Sequence, residues 1–460
     1  MALHETTKGL DIPIAGVPIH AIRGERFPTR VAVVADDFPG MRPGMRVAEG
    51  DSVKRGQVLF EDRKRPGVLH TAPGAGRVTA VNRGAKRALQ SVVIELSEAE
   101  RGGTETTPAE LQTFASYTGN PASELQREQV VALLVESGQW TALRTRPFGR
   151  TPEVADKPNS LFVTAIDTQP LAPLPEVVIE RRREDFDLGL AVLSKLTDGP
   201  TYLCVHADSE IPDHVSAPVT VEHFKGPHPA GNAGWHIHTL DPVSRSKTVW
   251  TVGYQDVIAT GSMFRTGVLD VSRVVAIAGP AVTDPMLVHT RMGADTEELT
   301  GGVPEGADVR LIAGSVLSGK AARGDVFGYL GRFHNQLSVL REGRERVFLG
   351  WLTPGWNAFS AAPIYLSRLF KGKRFELTTS TNGSPRAMVP IGMYERVMPM
   401  DIQPTYLLRS LVVGDVEQAE KLGVLELEEE DLALCSFVCP GKTDYGPLLR
   451  KNLEMIEKEG

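Results

Sequence analysis

The chain has 460 residues, 41% of them hydrophobic and 23% charged, with a formal net charge of −7. That length exceeds the roughly 250–300 residues that one core supports, so two to four domains are expected. The negative balance argues against a broad surface for nucleic acid or anionic lipid, and the one local basic group, Arg368, Lys371, Lys373 and Arg374, reads as a solvated loop.

Residues 1–30 carry Gly9, Pro13, Gly16 and Pro18, which break a regular helix and predict an extended arm lying on another domain. No apolar run of about 7–15 residues follows the first methionine, so no secretory signal is expected. From 31 to 96, short β-type runs alternate with glycine turns, which predicts a small all-β unit. Within it EGDSVKRGQVLF resembles the biotinyl/lipoyl barrel-sandwich fold. In that fold a hairpin lysine carries the prosthetic group. Lys64 lies near that place, but Arg63 and Arg65 flank it, and it reads as an unmodified scaffold lysine. Arm and barrel-sandwich together are assigned to residues 1–100.

Residues 97–120 are polar and read as a linker. Ser123 and Gln126 are spaced as a capping box. Leu125, Val130, Leu133 and Leu134 follow with a helical period, and Gly138 is placed to end the helix. An apolar strand is predicted over 161–166, a helix through Phe186, Leu190, Leu193 and Leu196, and a second strand over 202–205. Strand, helix, strand is a βαβ unit, so a Rossmann-like α/β domain is expected over 101–250. Ligands of such sheets bind beyond the carboxyl ends of the strands. Asp167, Thr168 and Gln169 stand there, and they are the candidate ligand-contacting residues. No G-x-G-x-x-G follows a strand, so the dinucleotide fingerprint is missing.

From 250 to 325 the β-type runs WTVGYQDVIATGSMF, RVVAIAGPAV and VRLIAGSVLSG resemble a ubiquitin-like β-grasp (soluble-ligand-binding) domain, assigned with its connecting segment to 251–370. Its most apolar stretch, 271–282, is short and carries Arg273. No run approaches the about 18 uncharged apolar residues of a membrane span. Residues 371–460 are assigned to a small helical C-terminal domain, with Val416, Ala419 and Leu422 at helical spacing and an acidic run at 428–431.

The remaining candidate chemistry is thin. Six of the eleven histidines lie between His206 and His238, and His236 and His238 on a strand would point to one side. That could begin a metal site, but no acidic or cysteine ligand stands at short spacing, so structural histidines are the favoured reading. Gly226, Gly231 and Gly234 form a glycine-rich loop that reads as a turn. Pro440-Gly441-Lys442-Thr443 ends like a P-loop, but the required upstream glycine is Ser436. Asn382-Gly383-Ser384 matches a glycosylation sequon, without meaning where no secretory signal exists. Cys435 and Cys439 look like the edge of an iron–sulfur ligand set. With Cys204 the chain has three cysteines, short of the four a cluster needs. Three cysteines fit a reducing compartment and read as buried thiols.

The blocks KGLDIPIAG, EDRKRPGVLHTAPGAGRV, FVTAIDTQPLAPLPEVVI, GPHPAGNAGWHIH, VWTVGYQDVIATGSMF, LGRFHNQLSVL, RAMVPIGMYERVMPMDIQPT and LEEEDLALCSFVCPGKTDYGPLLR closely resemble the family of the A subunit of the bacterial sodium-translocating NADH:quinone reductase. The resemblance implies a place in a six-subunit complex that oxidises NADH, reduces ubiquinone and exports sodium ions. It implies a peripheral position on the cytoplasmic side of the inner membrane, packed chiefly on a membrane subunit, with no nucleic-acid partner. The domain order resembles that of the flavin-bearing subunit of respiratory complex I, and the Asp167 loop would occupy the flavin-site position. The glycine-rich flavin loop and the four-cysteine site are missing here, which implies a cofactor-free relative kept for assembly or quinone-related work. Flavins, iron–sulfur centres and the sodium path would then belong to its partners. The competing reading is an independent soluble enzyme that uses the Asp167 loop and the histidines on a metal or small ligand. The related complex that reduces ferredoxin fits less well, because its corresponding subunit carries two sets of four cysteines.

Overall fold

The computed structural model describes residues 2–103, 107–211, 217–301, 308–345 and 352–459. Four sheets and a C-terminal helical domain organise them. The first β unit pairs Arg30–Val34, Leu89–Leu96, Gly76–Arg83 and Ser52–Val53 in one sheet and Pro43–Met45, Val58–Asp62 and Leu69–Thr71 in another. Val31, Leu59, Phe60, Val78, Val92 and Ile94 fill the space between them. This is a barrel-sandwich, and Lys64 lies exposed in the turn between Val58–Asp62 and Leu69–Thr71.

The central sheet runs Leu3–Glu5, Thr220–Lys225, Thr201–His206, Leu161–Ala165, Val249–Gly253, Arg144–Arg146. Neighbours are parallel through Val249–Gly253, and Arg144–Arg146 is an antiparallel edge. Side chains alternate across it. Leu161, Val163, Leu203 and Val205 face the core with the helices Arg127–Glu136, Arg183–Leu193 and Tyr254–Thr266. Phe162, Cys204, Phe224 and Val249 face a second core shared with the C-terminal helices. Burial on both faces explains why these strands read as continuous apolar runs. Arg183–Leu193 and Tyr254–Thr266 touch backbone to backbone, since a Cβ on Gly261 would lie 1.8 Å from the Asp185 carbonyl oxygen.

Three sequence expectations change here. WTVGYQDVIATGSMF reads as β-rich, yet only Val249–Gly253 is strand, and the helix Tyr254–Thr266 follows. Gly253 ends the strand, and Val257, Ile258, Met263 and Phe264 fall at helical spacing on the core side. The boundary between 250 and 251 therefore cuts a strand of the α/β sheet. The capping box of the first long helix forms one turn later, between Gln126 and Gln129. The arm does lie on other domains. Leu3–Glu5 extends the α/β sheet, and Ile19–Glu25 pairs with Met286–Arg291 in the third sheet.

That third sheet runs Lys320–Ala321, Val309–Ala313, Gln336–Arg341, Ser272–Ala278, Met286–Arg291, Ile19–Glu25 over a core that includes Val275, Ile277, Leu311 and Val339. The C-terminal domain comprises Met393–Val397, Pro404–Val413, Val416–Lys421, Ala433–Val438 and Gly446–Glu459.

Buried arginine–carboxylate clusters tie these units together. Glu100, in the stretch read as linker, accepts a bidentate pair from Arg55 of the barrel at 2.9 and 2.6 Å and a further short contact from Arg291 of the third sheet. All three side chains are almost fully buried. Removing one charge from such a group leaves the others uncompensated, which typically costs about 3–5 kcal/mol. Glu100→Gln is therefore expected to lower unfolding free energy by about that amount, read as a lower midpoint in a denaturant titration. An unchanged midpoint would mean that the triad does not hold the barrel.

Candidate functional site

At the carboxyl ends of the central strands lies a cavity of about 160 Å³. Asp167 and Gln169 reach it from the end of Leu161–Ala165, and Tyr254 and Asp256 from the end of Val249–Gly253. Arg144 and Arg146 come from the edge strand, Arg273 and Arg332 from the third domain, and Glu428 from the C-terminal domain. Three domains therefore close one small space.

Most of the charge in this space is paired. Asp256 Oδ1 stands 2.6 Å from both Arg273 Nη2 and Arg332 Nη1. Arg146 contacts Glu428 and lies 3.6 Å from Asp431, and Arg144 lies 3.3 Å from Glu428. Asp167 is different. Its Oδ1 accepts the Gln169 N–H at 2.9 Å, and among the described residues no cation lies within ion-pair distance of it. Burial pushes its pKa up to about 7, with only the Gln169 N–H opposing. Gln169 contributes a buried Oε1 with no hydrogen-bond partner among the described residues.

Thr168 has another task. Its Oγ1 stands 3.1 Å from His228 Nδ1 and accepts the Gly231 N–H at 2.9 Å. The glycine-rich loop is thus more than a turn, because it packs directly on the predicted site loop. A Cβ on Gly231 would lie 2.7 Å from the Thr168 nitrogen, so this position requires glycine.

The structure separates the other candidates. His236 and His238 lie on the helix Ala233–Leu240 rather than a strand, so a two-residue spacing turns their rings apart. His236 is fully buried, with Nε2 3.0 Å from the Ala230 carbonyl oxygen, and His238 Nδ1 meets Glu426 at 2.8 Å. His214 lies outside the described residues. Among the described residues no group of three or more His, Cys, Asp or Glu could hold a metal. Cys204, Cys435 and Cys439 are all buried. Cys439 follows Ala433–Val438, and its Sγ accepts hydrogen bonds from Tyr394 Oη at 3.2 Å and Thr443 N–H at 3.4 Å. The P-loop-like Pro440–Thr443 stretch follows that helix, not a strand.

Three family models match the chain: the NqrA N-terminal barrel-sandwich hybrid domain over residues 5–97, the NqrA second alpha/beta domain over 125–269, and the NQRA C-terminal domain over 274–324. The A subunit of the Na(+)-translocating NADH-quinone reductase of Saccharophagus degradans is 55% identical over 98% of this chain and 99% of its own. Those of Hahella chejuensis and Pasteurella multocida are 54% and 53% identical with the same coverage. The chain belongs to this NqrA family. The second match reaches past Thr266, in keeping with the helix Tyr254–Thr266 lying on the α/β sheet. Among solved structures, a chain of an air-oxidised NAD+-reducing [NiFe]-hydrogenase aligns at 13% identity over 50% of this chain and 49% of that one, with a TM-score of 0.36, below the level from which a shared fold follows.

The arginines of the site escape a sequence reading, although a signal exists. Arg144 and Arg146 are two apart on a strand, so both guanidinium groups leave the same face. Arg273, Arg332 and Glu428 arrive from other domains, and no local pattern announces that.

The cavity combines hydrogen-bond donors, a free amide oxygen and a carboxyl that titrates near neutrality. It can hold a small polar ring and exchange a proton with it. Asp167 also sets a pH dependence. It ionises in the unfolded chain above about pH 4 but in the fold only above about 7. Stability is therefore lost as pH rises through that window. Asp167→Asn should melt higher than the parent at pH 8, and the gap should shrink as pH falls toward about 4. A pH-independent gap in melting temperature would show that Asp167 is not held protonated.

Proposed function

We propose that this chain serves as a peripheral, cofactor-free subunit of the complex that oxidises NADH, reduces ubiquinone to ubiquinol and exports Na+, and that its Asp167 cavity receives the quinone ring. The observation that carries the reading is the size and lining of that cavity. An apolar cavity of about 150 Å³ takes one benzene, so a space of about 160 Å³ suits one six-membered ring. Arg144 and Arg146 can donate to a ring carbonyl oxygen, and protonated Asp167 can donate to the other or deliver a proton. In this reading the electrons come from partner subunits that carry the flavins and iron–sulfur centres, and two protons complete the quinol. Asp167, Thr168 and Gln169 are the proposed quinone loop, with Thr168 holding it against the glycine-rich segment.

No helix among the described residues is long and apolar enough to cross a membrane. The place proposed for the chain is peripheral, on the cytoplasmic side of the inner membrane, against a membrane subunit. The metal-dependent alternative has no donor cluster to stand on among the described residues.

Calorimetry of the isolated protein with a short-chain ubiquinone tests the reading. Saturable binding is expected, weakened roughly tenfold by Asp167→Ala or Gln169→Ala, since one hydrogen bond contributes about 1–1.5 kcal/mol. Absence of binding by a protein with a normal melting transition would leave only a scaffolding role.

A further inference from the structure

The described surface has fifteen exposed large apolar side chains, and eight of them fall between residues 352 and 391. Leu369 and Ile364 are 73% and 70% exposed, and Leu352, Trp356, Leu366 and Phe370 accompany them. Single exposed apolar residues need no explanation, but a concentration of this kind marks an interaction surface. Between 352 and 375 the sequence has four Lys or Arg and no Asp or Glu, in a chain whose net charge is −7. The solvated-loop reading of Arg368, Lys371, Lys373 and Arg374 overlooks these apolar companions.

The segment is a built element. The Leu366 N–H donates to the Pro354 carbonyl at 3.0 Å, and Ser367 Oγ to the Ala358 carbonyl at 2.6 Å. Lys373 Nζ donates to the Trp356 carbonyl and to Asn357 Oδ1, each at 2.7 Å, and lies 5.7 Å from the centre of the Phe370 ring. The Trp356 and Phe370 rings stand 5.7 Å apart. At the base, Phe375 is buried and its backbone pairs with Pro13 and Ala15 of the arm. A fixed base therefore presents an apolar crown.

We propose that residues 352–391 form the surface by which this protein docks on an apolar, acid-rimmed face of a membrane-embedded partner subunit, an inference that rests on reading the chain as peripheral. Protein, rather than lipid, is the occupant by composition. Aromatic and aliphatic side chains with arginine, and almost no acids, are the composition of a protein interface core. The basic rim sets the sign of the partner's rim.

The test is copurification of this protein with the membrane subunits of the assembled complex. Trp356→Ser, Leu369→Ser and Phe370→Ser together should cut retention by about tenfold or more, while the isolated triple variant melts as the parent does. Val413→Ser, on an exposed apolar residue of the helix Pro404–Val413, should leave retention unchanged. Arg368→Glu with Lys371→Glu should lower retention and weaken its salt dependence. Full retention of the triple variant would overturn the proposal while leaving the peripheral role intact. So would crown-dependent binding of the isolated chain to phosphatidylglycerol vesicles, which would assign the surface to lipid. Failure of the unaltered protein to copurify would remove the peripheral reading itself.

Discussion

The arrangement of this molecule depends on Asp256. Its carboxylate sits at the start of the helix Tyr254–Thr266 and holds Arg273 and Arg332, both from the third domain. The backbone N–H of Arg332 in turn donates to Asp37 of the barrel-sandwich at 2.8 Å. One buried carboxylate thus fixes the α/β domain against two others. Buried charges tolerate little displacement, because desolvation is recovered only while the partners stay in contact. Arg55, Glu100 and Arg291 repeat the device between the barrel and the third sheet, and Arg146 with Glu428 and Asp431 repeats it between the α/β and C-terminal domains. The Asp256 and Arg146 contacts border the cavity at the strand ends.

The contrast between Glu100 and Asp167 shows what sets the site apart. Burial pushes both carboxyls upward. At Glu100 the bonds from Arg55 and the charge of Arg291 outweigh burial, and its pKa ends below the ordinary value. At Asp167 only a backbone N–H opposes, and the carboxyl ends near 7. Arginines stand beside Asp256, Glu428 and Asp431 in the same region, and among the described residues none stands beside Asp167. A proton can therefore sit on Asp167 near neutral pH, and burial likewise pushes up Glu430, on the wall of the same cavity, and its neighbour Asp431.

Much of this is legible in the sequence. The βαβ pattern locates Leu161–Ala165 and Thr201–His206, and the strand-end rule alone puts Asp167 and Gln169 at the cavity. The errors have local causes. In VWTVGYQDVIATGSMF the helical period is interrupted by Gly261, which serves a helix crossing and reads as a turn. In GNAGWHIH the alternation of His236 and His238 mimics a strand, while Asn232 precedes a helix that buries Trp235 and Ile237. Glu100 is lost in a polar segment, because its importance lies in Arg55 and Arg291, 45 and 191 residues away. Pairings at such range leave no trace in local periodicity.

Two places in the molecule invert the usual distribution of polarity. Inside, Asp167 is desolvated without a countercharge among the described residues. Outside, Leu369, Ile364 and their neighbours are exposed, with no covering among the described residues. Each costs free energy in the isolated chain, the first by desolvation and the second by hydration of apolar surface. A ligand that takes a hydrogen bond from Asp167 relieves the first, and a partner that buries the crown relieves the second. Both costs lie where the proposed quinone and the proposed partner would remove them.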